Sequence, residues 1–167
     1  ATVTDDNGAT DTQVITVTIN GTNDVPVITS GAADAAGTVE EAGHLDDGTV
    51  VPGTASVTGT LTSSDVDTAA TATWSVAGGS SYGSISIDPA TGAWTYDLDN
   101  SLPATQALQE GETVTETFTA TVTDDNGATE TQVITVTING TNDVPVITSG
   151  AADAAGTVEE AGHLDDG

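Results

Sequence analysis

Asp65 and Asp67 flank Val66, so an extended chain carries their two carboxylates on one side. Asp124 continues the inward-facing series Phe118, Ala120, Val122 one step past its last apolar member. Asn23-Asp24 stands just ahead of an apolar run beginning at Val25, and the same pair returns as Asn142-Asp143. Glu40-Glu41 and Asp97-Leu98-Asp99 add further acids at strand-like segments. Carboxylates, carboxamides and backbone carbonyls gathered at a point are the donor set of a hard cation such as Ca²⁺, which takes six to eight oxygens. With no Cys and only His44 and His163, zinc and copper chemistry is disfavoured. The acids of turns have a plainer reading as solvated residues, and Asp11, Asp34, Asp46 and Asp47 are assigned to it. The two His occupy one repeat position and are read as members of a solvated loop.

The charge balance gives the cation physical weight. The chain has 26 Asp and Glu and no Lys or Arg, for a net charge of −26. Its compact state therefore repels itself. Two carboxylates about 4 Å apart near a surface repel by roughly 4 kcal/mol. A folded form needs separated acids or bound cations. Nucleic acid is excluded as a partner because nothing in the chain neutralises phosphate. No run long and apolar enough to cross a membrane is visible, and no signal peptide.

The elements that must position these groups come in repeats. Residues 1–48 match residues 120–167 at 47 of 48 positions, the exception being Asp11 against Glu130. The offset of 119 residues is the length of one domain, not of a small solenoid repeat. This predicts a complete unit over residues 23–142, preceded by the last hairpin of another unit (1–22) and followed by the opening of a third (143–167). Each boundary carries Gly-Thr-Asn-Asp-Val-Pro-Val-Ile, at Gly21 and again at Gly140. Its Pro holds the path extended and starts no helix.

Within the unit, β-branched and polar residues alternate in short runs. Strands are predicted at Val25–Thr29, Thr38–Glu41, Ala55–Leu61, Ala72–Val76, Ser84–Ile87, Trp94–Leu98, Thr115–Thr123 and Val133–Ile138, with Gly43–Gly53 as loop and Leu102–Leu108 as a crossover. Asp88-Pro89-Ala90-Thr91-Gly92 suits a turn. A four-residue loop Pro89–Gly92 would pair Ile87 with Trp94 and Ile85 with Tyr96 on one face. A three-residue loop with Gly127 left-handed would set Phe118 opposite Ile134, whereas a two-residue Asn-Gly turn would mix the faces. About seven short strands without helix predict an all-β, Ig-like Greek-key β-sandwich. Ala72, Trp74 and Val76 are predicted inward, and Trp74 and Trp94 are core anchors; the alternative for the Trp rings is a sugar-stacking platform. In such a sandwich Asn23, Asp24, Asp65, Asp67 and Asp124 can meet at one pole, and Glu40 or Glu41, Asp97, Asp99, Asn142 and Asp143 at the other.

Several strings resemble cadherin-type domains: Ser64-Asp65-Val66-Asp67, Ile87-Asp88-Pro89-Ala90-Thr91-Gly92, Leu98-Asp99 and Asn142-Asp143-Val144-Pro145. The run Tyr82 to Tyr96 and the Gly-Thr-Asn-Asp-Val-Pro-Val-Ile boundary resemble the VCBS-type repeat of very large secreted bacterial adhesins more closely, over essentially the whole chain. The resemblance implies calcium between consecutive domains. The upstream unit would give Glu40 or Glu41 and Asp99, the linker Asn142 and Asp143, and the downstream unit Asp65, Asp67 and Asp124. Asn100-Ser101 departs from the charged pair usual after Leu-Asp, which implies a smaller ligand set. The glycine-rich calcium β-roll repeat of RTX proteins is absent. As each boundary here has only one whole neighbour, partial or weak calcium occupancy is expected.

These readings make the unit a calcium-stiffened spacer of a secreted bacterial cell-surface adhesin. Its partners would be neighbouring identical repeats of the same chain, and an isolated repeat would be monomeric and not inserted into a membrane. The alternative is an adhesive module that itself binds carbohydrate or protein, which requires an exposed aromatic or apolar patch. An enzyme is disfavoured: the paired carboxylates fall at boundaries between domains and imply no substrate groove.

Overall fold

A computed structural model of the chain describes residues 1–45, 47–145 and 147–159. Asp46 and His163, both read above as loop residues, lie outside the described residues. Among those residues every regular element is a strand. The first two, β1 (Thr2–Thr4) and β2 (Thr10–Thr12), form a hairpin sheet of their own. The rest are β3 (Val27–Ile28), β4 (Ala36–Glu40), β5 (Gly43–His44), β6 (Val50–Val51), β7 (Ser56–Thr60), β8 (Ser63–Ser64), β9 (Ala72–Ala77), β10 (Gly83–Ile87), β11 (Ala93–Leu98), β12 (Thr113–Asp124) and β13 (Thr129–Asn139).

Two sheets face each other. One has the order β4-β13-β12-β9 and the other β10-β11-β7. The chain leaves the first sheet after β9, makes the β10–β11 hairpin in the second, and returns at β12. The edge strand β4 runs parallel to the last strand β13, from Ala36 beside Thr135 to Glu40 beside Asn139. Short ribbons β3–β8 and β5–β6 complete the unit.

Alternation builds the core. Phe118, Ala120 and Val122 of β12, Ile134, Val136 and Ile138 of β13, and Trp94, Tyr96 and Leu98 of β11 are all buried, every second residue turning inward. Leu61, Val39 and Trp74 join them. The Tyr96 and Phe118 rings pack at 5.8 Å between centroids. Both Trp side chains are core, as expected, and Trp94 Nε1 donates to the Asp34 carbonyl at 2.9 Å. Close approach needs Gly59, where an added Cβ would lie 2.6 Å from the Trp94 ring and from the Asp34 carbonyl oxygen.

Both hairpin registers agree with the parity reading. Ile87 pairs with Trp94 and Ile85 with Tyr96. The Asp88 carboxylate accepts the Ala90 and Thr91 N–H groups at 2.9 and 2.8 Å and tightens that turn. Phe118 pairs with Ile134, and Gly127 has φ +89° in the three-residue loop. Three expectations need correction. Gly43–Gly53 is not wholly loop, since β5 and β6 pair within it. His44 belongs to β5, and its Nδ1 is buried without a hydrogen-bond partner, so it is not a solvated loop residue. Ala72 is exposed, because it pairs with Asp124 beyond the last core layer.

Candidate metal centres at the two poles

The β12 strand sets the distance between the poles. It has 12 residues, and at about 3.3 Å per residue it spans roughly 36 Å. Asp124 ends it at one pole, and Thr113 begins it at the other beside Asn139.

At the entrance pole the linker is tied to the sandwich by polar bonds. Asn23 Nδ2 donates to Asp124 Oδ2 at 2.8 Å and to the Asp24 carbonyl at 2.8 Å. The Asp24 N–H donates to Asp67 Oδ2 at 2.9 Å, and the Asp67 N–H to Asp65 Oδ1 at 2.9 Å. Asp124 Oδ1 accepts the Asn126 and Ala128 N–H groups at 2.9 and 2.7 Å. The Asn23 bond and these backbone donors hold the Asp124 carboxyl below its ordinary range, against the opposing effect of burial. All five residues assigned to this pole by sequence are thus connected. A sixth residue, Asn126 of the β12–β13 turn, joins them: its Nδ2 donates to Asn23 Oδ1 at 2.6 Å.

At the exit pole Glu41 is fully buried. Its Oε2 accepts the Thr141 N–H at 3.1 Å and its Oε1 the Gln106 amide at 3.3 Å. Burial pushes its pKa up, the Thr141 N–H pulls it down, and the charge of Asp143 pushes it up again. Of the pair Glu40 and Glu41, Glu41 is therefore the one facing the linker. Glu40 is half-buried and bonded through its backbone to Thr54. Asn142 exchanges backbone bonds with His44 at 2.7 and 3.1 Å. Asp99 Oδ1 accepts the Ser101 hydroxyl and N–H at 2.6 and 2.8 Å, which hold its carboxyl low. Asn100 reaches the backbone of Ala42, next to Glu41, at 3.0 and 3.2 Å. Asp97 is exposed. Asn100 and Gln106 join this pole through long-range contacts that no local pattern signals.

The donors at both poles are oxygens of carboxylates, carboxamides and the backbone, and Asp65 Oδ2 is buried with no partner. That chemistry fits a hard cation. Among the described residues no three His, Asp or Glu side chains converge as a metal group. At the entrance pole the Asn23 amide takes a carboxylate oxygen that a cation would use.

Residues 23–140 match the family model of the bacterial cadherin-like domain. The chain belongs to that family. The bacterial cadherin-like domain is an Ig-like β-sandwich, as described above, and is in general not an enzyme. Bacterial cadherin-like domains occur in extracellular and surface proteins. Among the described residues no helix is long and apolar enough to cross a membrane. Comparison with curated proteins returns no match.

Proposed function

We propose that this bacterial cadherin-like domain is a calcium-stiffened spacer repeat, of the VCBS type, in a secreted bacterial cell-surface adhesin. The observation that carries the reading is the placement of the two linkers. The chain is tied to Asp67 and Asp124 where it enters and to Glu41 where it leaves, at opposite ends of β12. Such a domain adds its full length to an array, and a spacer works by length.

Asn23, Asp24, Asp65, Asp67 and Asp124 would hold calcium at one boundary, and Glu41, Asp99, Asn142 and Asp143 at the next, with Glu40 the less favoured of its pair. Calcium bound there supplies the positive charge that a chain without Lys or Arg lacks, and cross-links the linker to both neighbours. The Asn23 carboxamide and the backbone ties at Asp67 and Glu41 orient the linker oxygens beforehand. The adhesive-module reading gains no support from the aromatic side chains: four of the five are buried and Tyr82 is half-buried.

An array of several whole repeats tests the proposal, by small-angle scattering and thermal melting with calcium and with chelator. Calcium is expected to raise both the maximum dimension and the melting temperature. An array equally extended and equally heat-resistant after chelation would remove the mechanism.

A further inference from the structure

The two copies of the repeated 48-residue stretch differ only in having Asp11 or Glu130. Glu130 is the second residue of β13 and is half-buried. Its Oε2 accepts the backbone N–H of Ile28 at 2.6 Å. Ile28 lies in β3, a strand with two ladder pairs, both to β8. The Thr29 N–H points toward the β8 side, to the Thr62 carbonyl. The Ile28 N–H, on the other edge, faces β13, and the Glu130 carboxylate takes the place of a ladder acceptor there. A carboxylate acceptor makes this bond shorter and stronger than a neutral one. Aspartate is shorter by one methylene, about 1.5 Å, which puts its oxygens outside hydrogen-bonding range.

We propose that Glu130 is a tether pinning the leading strand of the sandwich to the last, and that this position sets, repeat by repeat, how firmly the leading strand holds under tension. Pulling on the linker ahead of Asn23 loads the Asn23 and Asp24 bonds and then β3, the first strand of the sandwich it meets, while pulling beyond Asn142 loads β13 toward the opposite pole. The Glu130–Ile28 bond joins the two strands that are drawn apart. The part concerning tension rests on the spacer reading; the tether does not.

The test uses the full chain with Glu130→Asp and Glu130→Gln in chelator. Amide exchange at Ile28 is expected to rise roughly ten- to a hundredfold in Glu130→Asp. The Phe118 and Ile134 amides in the β12–β13 ladder should be unchanged. Glu130→Gln keeps an oxygen of the same reach without the charge, and should raise Ile28 exchange only severalfold. Unchanged exchange at Ile28 in Glu130→Asp, or an equal rise at all three amides, overturns the tether. Pulling single chains by their ends should give a lower first yield force for Glu130→Asp. An unaltered force with raised Ile28 exchange overturns the role in tension and leaves the tether. Neither result depends on calcium, so a failure here is distinct from a failure of the calcium mechanism.

Discussion

Glu41 and Asp124 are acids at opposite poles with opposite shifts. The folded pKa of Asp124 is depressed, so its contribution to stability is present above the ordinary 3.8 and is lost as pH falls through the folded value. The folded pKa of Glu41 is raised above the ordinary 4.5, chiefly by burial. The folded state then binds the Glu41 proton more tightly than the unfolded chain does, and stability falls as pH rises from 4.5 through the folded value. Glu41→Gln is therefore expected to raise the melting temperature in chelator at neutral pH, with the gain vanishing below pH 4.5. Melts across that range check it; a variant that melts lower at every pH would mean that the bonds to Thr141 and Gln106 outweigh the cost of burying the charge. The sequence offered both Glu40 and Glu41 as candidates. It could not choose, since the choice depends on Gln106 and Thr141, 65 and 100 residues away.

Strand faces and hairpin registers were legible because they follow from period-two alternation and turn chemistry within a few residues. Packing between sheets was not. Nothing local marks Gly59 as the residue that must lack a side chain, yet it lies against the Trp94 ring. Gly59→Ala would force that ring and its bond to Asp34 to shift. The expected cost is about 1–3 kcal/mol, read by denaturant unfolding. Wild-type stability in this variant would mean that β7 and β11 can separate without loss. The β5–β6 ribbon was missed for a related reason: Gly43–His44 and Val50–Val51 are too short to show a period, and His44 is fixed by Asn142 from the far end of the domain.

At the scale of the whole molecule, identical sequences take different structures. Ile138 is fully buried in β13, while Ile19, the same residue one period earlier, is 89% exposed and in no strand. Val39 is fully buried in β4, and its equivalent Val158 is 99% exposed. Amide exchange should report this directly. The amides of residues 133–138 are expected to be protected, and those of residues 14–19 to exchange at rates near those of an unfolded chain. Equal protection of the two segments would show that the first finds a partner, and isotope-filtered spectra of mixed labelled and unlabelled chains would show whether that partner is a second copy.

The amino-acid sequence by itself determined the period, the all-β character, the inward residues of the long strands, the two hairpin registers and the excess of acidic groups over basic ones. All of these depend on residue type and short-range spacing. The tertiary structure decided which of two identical stretches becomes a strand, which glutamate meets the linker, and that Asn100, Gln106, Asn126 and Glu130 join the poles and the leading strand. A β-strand has no hydrogen-bonding partner within itself. Its existence and its burial are settled by segments distant in the chain, and a copy without them remains an extended, exposed run of the same residues.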